Sequence, residues 1–203
     1  MFKSDSLYKA PFSPSYWQAA LSEIKKPKVL ALAAFVIAIR IVISSFFIPL
    51  PFGNLRIYFG FFANALGSLI YGPVVALVVG FVHDILSYII SPTGPFFPGY
   101  TLSTMLGSFV YAMFLYRARI TVFRIALCKL SVNLFVNVML GSLWSAILYN
   151  KGYYYYMTTS ILKNTSLLIP EIIVLVLFIQ MMLPLISKHG LISKQTPRRI
   201  PWI

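Results

Sequence analysis

The sequence predicts an all-α integral membrane protein: a bundle of six transmembrane helices, both termini cytoplasmic, with a short interfacial helix before the first span. Three observations carry this. Of 203 residues, 59% are hydrophobic and only 10% are charged, whereas soluble domains carry about 25% charged residues. The apolar stretches are long and continuous rather than alternating, which selects helices over a barrel. The cations cluster beside these stretches and almost all on one side of them, as they do in cytoplasmic loops.

The elements follow in order. Residues 1–28 read as a cytoplasmic and interfacial segment. Ser15 can cap a short helix that carries Trp17, Ala20, Leu21 and Ile24 on one face, a spacing suited to lying in the interface. Lys25, Lys26 and Lys28 anchor the next helix, and Pro27 separates the two. The transmembrane domain spans 29–187. Its first run, 29–48, starts too late and is too long for a secretory signal, so it is expected to remain as a span. It ends at Pro49-Leu50-Pro51-Phe52-Gly53-Asn54. Span two covers 56–70 and span three 74–90, broken apart by Gly72-Pro73. A Pro- and Phe-rich loop leads to span four, 100–116. Span five covers 125–149 and span six 157–186, before a basic tail, 188–203. These lengths suit a hydrocarbon thickness of ~30 Å, the longer spans tilting.

Charge sets the orientation. Lys3, Lys9, Lys25, Lys26 and Lys28 precede span one; Arg117, Arg119, Arg124 and Lys129 lie between spans four and five; Lys188, Lys194, Arg198 and Arg199 follow span six. Only Arg56, Lys151 and Lys163 fall at the opposite end. An even number of spans places both termini in the cytoplasm. The net charge of +13 therefore reads as topology and attraction to anionic membrane lipid, not as a nucleic-acid surface.

Absences narrow the chemistry. No G-x-x-x-x-G-K-[ST], H-E-x-x-H or G-x-S-x-G motif occurs, so neither a P-loop ATPase nor the common hydrolase classes fit. His83 and His189 are the only histidines, too few to build a metal cluster at usual ligand spacing. Cys128 is alone, so no intrachain disulfide forms. No cofactor, metal or enzymatic activity is expected.

Arg40 is the most informative residue. It interrupts the apolar run 29–48, and a guanidinium cannot escape desolvation by neutralising. At bilayer depth such a charge costs at least ~2.5 kcal/mol and marks a functional site or an ion pair. Asp84 and Glu171 are the only acids within the spans, and either could pair with it. Ala34 and Ala38 form a small-xxx-small pair, extended by Ala31, that permits close approach of another helix. They lie roughly 120° and 160° from Arg40 on the helical wheel. With Arg40 inward, the alanine stripe faces lipid or a partner.

On span five, Asn133, Asn137, Gly141 and Trp144 share one face; the amides need partners and the indole offers a flat ring with a donor. This lining can hydrogen-bond and stack a planar heterocycle, or simply glue helices together. Span six opens with Lys163-Asn164 and carries Pro170-Glu171 near its middle. Pro170 is expected to kink the helix. Lys163 can meet an anionic ligand or snorkel to water.

The Ala34-x-x-x-Ala38 pair, Leu55-Arg56-Ile57-Tyr58-Phe59-Gly60-Phe61, Tyr71-Gly72-Pro73, Gly80-Phe81-Val82-His83-Asp84 and Phe96-Phe97-Pro98-Gly99-Tyr100-Thr101-Leu102 together resemble the substrate-binding S components of energy-coupling factor (ECF) vitamin transporters. The resemblance is closest to the folate-specific members. It implies a pocket open to the outside and a lid made of the outer loops, marked here by Pro51, Gly53, Pro95, Pro98 and Lys151. It also implies that Ala31, Ala34 and Ala38 dock onto a transmembrane coupling protein carried by two ATPase subunits, in the bacterial cytoplasmic membrane. A folate ligand has a flat pterin and a dianionic glutamate tail. Trp144 with Phe96 or Phe97 suits stacking, Asn133, Asn137 or Asn164 suits the pterin edge, and Arg40, Arg56 and Lys163 suit the acid groups. Another vitamin or precursor (riboflavin, pantothenate, hydroxymethylpyrimidine) is the alternative within that family. A self-sufficient carrier or scaffold without an ATPase is the alternative outside it.

Overall fold

A computed structural model describes residues 7, 13–44, 47–49, 56–92, 94–149, 152–193 and 199–202, with backbone alone at 47–49 and 56–58. Helix α1 spans Pro14–Glu23, α2 Pro27–Ser44, α3 Gly60–Ile90, α4 Pro98–Leu115, α5 Val122–Ser131, α6 Gly141–Tyr149 and α7 Tyr153–Lys188. A π-helical segment, Val132–Leu140, joins α5 to α6 without a break. Two short strands, β1 (Phe47–Pro49) and β2 (Arg56–Tyr58), pair antiparallel with Ile48 opposite Ile57. The predicted start of span two is thus a strand. Ile57 and Tyr58 favour extended backbone, and helix begins only at Gly60.

Among the described residues, four helical runs are long and apolar enough to cross a membrane: α2, α3, the continuous Val122–Tyr149 run and α7. Their outer faces stay apolar where they meet no other helix, as at Phe35, Ile89, Leu162, Ile169 and Leu177. In water such faces would be an association hazard; facing lipid, they are what a membrane-spanning bundle requires. This is a membrane protein.

Inside, Leu69 of α3, Tyr111 and Leu115 of α4, Ile125 of α5 and Leu175, Ile179 and Leu183 of α7 form one core. A second cluster joins Val29, Ala33 and Val36 of α2 to Val75, Ala76 and Val79 of α3. Helices α3 and α4 pack closely because Gly80 carries no side chain. A Cβ there would fall 2.7 Å from the Met105 Cα.

Gly72 makes the predicted break. Its φ of 78° and ψ of 177° lie in a region essentially restricted to glycine, so α3 bends there into two arms. Helix α7 is continuous through Pro170 and Pro184.

One end of the bundle gathers α1, the start of α2, the Gly72 bend, the end of α4 and the start of α5. Lys28 Nζ reaches the His189 carbonyl at 3.4 Å. The backbone N–H groups of Val122 and Phe123 donate to the Pro201 and Trp202 carbonyls, so the chain's last residues satisfy two orphan donors of α5. Helix α1 is capped by Ser13, not Ser15, and it docks on the bundle. It buries Tyr16, Ala20 and Glu23 against the bundle and leaves Leu21 exposed. Burial pushes the Tyr16 phenol above the usual tyrosine range. The reason for this docking is polar. Glu23, fully buried, pairs with Lys26 at 2.8 Å and Arg117 at 3.2 Å and accepts from the Tyr116 hydroxyl at 3.1 Å.

Candidate functional site

At the opposite half of the bundle a cavity of about 530 Å³ lies between the starts of α3 and α4, the π segment, α6 and α7. Phe61, Tyr100 and Tyr156 supply aromatic walls; Asn137, Asn164, Ser103 and Ser160 supply hydrogen-bonding groups; Lys129, Lys163 and Glu171 supply charge. An arm of about 340 Å³ shares Gly60, Phe61, Ser103, Lys129, Val136 and Asn137 with it and ends at Arg40.

Arg40 is 6% exposed. Its Nη1 lies 3.4 Å from Ser108 Oγ, a long contact, and its Nε has no partner among the described residues. The two candidate acids are engaged elsewhere. Asp84 accepts from Thr101 Oγ1 at 2.7 Å and Thr104 Oγ1 at 3.1 Å, and Glu171 pairs with Lys129 at 3.1 Å. Arg40 therefore ends the arm with donors to spare, next to a hydroxyl held by Asn64 Oδ1 at 2.8 Å. A buried guanidinium in that condition has the chemistry to take an anion.

The amides form a ladder between the π segment and α7. Asn137 Nδ2 donates to Asn133 Oδ1 at 3.1 Å and Asn164 Oδ1 at 3.3 Å; Asn133 Nδ2 donates to Glu171 Oε2 at 3.2 Å; Asn164 Nδ2 donates to the Ser160 carbonyl at 2.9 Å. Asn133 is buried behind the wall and orients its neighbours, while Asn137 and Asn164 reach the cavity. The i→i+5 bonding of a π-helix widens the turn, and such segments recur at functional sites.

One expectation changes. Gly141 lines the cavity with Asn137, but Trp144 does not. Its Nε1 donates to Ser103 Oγ at 2.9 Å and its ring packs against Phe97, centroids 5.6 Å apart. Phe96, Phe97 and Pro95 line a neighbouring cavity of about 680 Å³ with His83, Asp84, Tyr88 and Tyr149. The two cavities meet at Tyr100 and Ser103. Pro98 is the first residue of α4. Lys163 lines the first cavity and makes no ion pair among the described residues.

The structure thus brings Arg40, Asn137, Lys163 and Asn164 to one connected space, with Asn133 behind them. Phe96 and Phe97 stand in the adjoining space. Ala31, Ala34 and Ala38 are exposed on the opposite face of α2 from Arg40. Arg56 is placed only by its backbone in β2, and Pro51, Gly53 and Lys151 lie outside the described residues.

Lys129 is a correction. Its position beside Arg124 reads as a cytoplasmic loop cation, yet it is 3% exposed in the interior, its ammonium 4.0 Å from the Phe61 ring centre. The sequence signal was its spacing: Lys129 precedes Asn133 by one helical turn. Phe61 and Tyr100 stand in the segments that carry the family resemblance but were not singled out, and Tyr156 carried no comparable signal.

Fold and cavity together define a class: a membrane-embedded helical bundle enclosing a polar, cationic space of ligand size. Residues 28–190 match the family described as "ECF transporter, substrate-specific component". The chain is 33% identical over 141 residues to the folate transporter FolT of Clostridium novyi (strain NT), covering 70% of this chain and 81% of that protein. It is 23% identical over 139 residues to FolT of Leuconostoc mesenteroides subsp. mesenteroides, covering 66% and 74%. A crystal structure of FolT bound with folic acid superposes with a TM-score of 0.65 at 28% identity, covering 73% of this chain and 89% of that one. The chain belongs to the substrate-specific components of ECF transporters, a transporter family and not an enzyme family.

Proposed function

We propose that this chain is a folate-binding S component that captures its ligand from outside the cell and hands it to a separate ATP-driven module. One observation carries the ligand class: among the described residues, three cations, Arg40, Lys129 and Lys163, and a single carboxylate, Glu171, face one connected cavity. The surplus is two positive charges, which suits a dianion. Aromatic and amide walls suit a planar heterocycle, and the volume falls within the ~300–1,000 Å³ of ligand pockets. The folate-bound relative supports the same reading.

In this reading Arg40 and Lys163 hold the acid groups, Arg being apt for bidentate carboxylate contact. Asn137 and Asn164 contact the heterocycle, with Asn133 positioning them and Trp144 bracing Phe97. Phe96 or Phe97 stacks on the heterocycle and Arg56 joins the cations for the acid groups; Pro51, Gly53, Pro95, Pro98 and Lys151 mark the lid. The two arms of α3, with α2, α4, the Val122–Tyr149 run and α7, make six crossings of the bacterial cytoplasmic membrane. The end carrying Lys25, Lys26, Lys28, Arg117, Arg119 and Lys188 faces the cytoplasm by the positive-inside rule. Ala31, Ala34 and Ala38 form the flat face that docks on the coupling protein, which two ATPase subunits serve.

Native mass spectrometry of the purified chain tests this. The expected result is a bound species with the mass of folate or a reduced folate. A neutral vitamin in its place would overturn the ligand, and nucleotide-independent uptake by this chain alone would overturn the module.

A further inference from the structure

We propose that Glu171 reads the donor edge of the ligand's heterocycle, an inference that rests on the folate reading above. A carboxylate in a cavity built for an anion is otherwise out of place. It subtracts from the attraction that Arg40 and Lys163 provide. The geometry shows what it is prepared for. Both of its partners use one oxygen: Lys129 Nζ lies 3.1 Å and Asn133 Nδ2 3.2 Å from Oε2. Oε1 accepts no hydrogen bond among the described residues, while Glu171 lines the cavity with its side chain 17% exposed. One oxygen fixes the carboxylate and the other is left facing the space.

A carboxylate only accepts. The ligand part it suits must therefore donate. A 2-aminopyrimidinone ring, as in a pterin, presents an exocyclic amine beside a ring N–H. Those two donors complement a fixed carboxylate. The rest of the wall supports this division. Lys129 is committed to Glu171 and to the Phe61 face, 4.0 Å from its ammonium, so it holds Glu171 in place without claiming the ligand's tail. Arg40 Nε, unpartnered among the described residues, and Lys163 remain for the tail. The π segment contributes by carrying Asn133, whose amide spans from Glu171 to the Asn164 carbonyl at 3.5 Å.

The test uses the full chain in detergent and three probes: folate, its 2-desamino-2-methyl analogue and p-aminobenzoyl-glutamate, which has the tail but no pterin. The wild-type chain is expected to prefer folate over the desamino analogue by about tenfold or more. Glu171→Gln is expected to lose most of that preference while binding p-aminobenzoyl-glutamate as well as or better than the wild type, since the cavity has gained a positive charge. Wild-type chain that binds folate and the desamino analogue equally overturns this inference and leaves the folate reading standing. Wild-type chain that binds no folate overturns both. Should Glu171→Gln fail to fold, the wild-type comparison decides alone.

Discussion

Lys129 Nζ lies 3.1 Å from Glu171 Oε2, and both line the same cavity. The pair ties α5 to the middle of α7 at the point where the π segment begins. Each charge is tolerable there only because the other is present, since desolvation of a lone ion costs several kcal/mol. Lys129→Met is therefore expected to lower the melting temperature of the ligand-free chain in detergent. The double variant Lys129→Met with Glu171→Met is expected to recover most of that loss. A double variant no more stable than the single one would show that the pairing is not what matters.

Glu23 anchors the other end. It is fully buried with two cations and a phenol on one oxygen. Removing one member of such a buried pair costs roughly 3–5 kcal/mol. Glu23→Ala is expected to release α1 from the bundle, making the Lys25–Lys26 bond more rapidly cut by trypsin. Unaltered cleavage would mean that Tyr16 and Ala20 hold the helix without it.

Gly72 sets the bend of α3. At φ 78° and ψ 177° a side chain costs about 1–3 kcal/mol, and a Cβ would also sit 3.0 Å from the Tyr116 ring. Gly72→Ala is expected to lower the melting temperature measurably. An unchanged melting curve would mean that the bend is not needed for the packed state.

The alanine face is exposed, so bulk there costs the isolated chain little. Ala34→Trp and Ala38→Trp are expected to leave folate binding in detergent unchanged and to abolish co-purification with the coupling protein. Retained co-purification would place the docking surface elsewhere.

The sequence made some of this legible and hid the rest for physical reasons. Arg40 stood out because a permanent charge in an apolar run has few explanations. The alanines followed from its position on the wheel, and Gly72-Pro73 marked the bend by backbone chemistry alone. Lys129 was hidden because its neighbour Arg124 makes the region look like a basic loop; beside its spacing from Asn133, the tertiary partner Glu171 is what distinguishes an interior lysine. The π segment was hidden because hydrophobic periodicity does not separate an i→i+5 turn from an i→i+4 one over a few residues. Trp144 lies three residues past Gly141 within α6 and packs on Phe97 and Ser103 instead of lining the cavity. The docking of α1 was hidden because the partners of Glu23, Tyr116 and Arg117, stand 93 and 94 residues away in sequence.

The central claim is that Arg40 waits inside the bundle for an acid group of the ligand. Isothermal titration of folate into the ligand-free chain and its Arg40→Ala variant tests it most directly. The account predicts saturable binding by the wild type and an affinity lower by about tenfold or more in the variant, the scale of a lost charge-assisted contact. Equal affinities would contradict it.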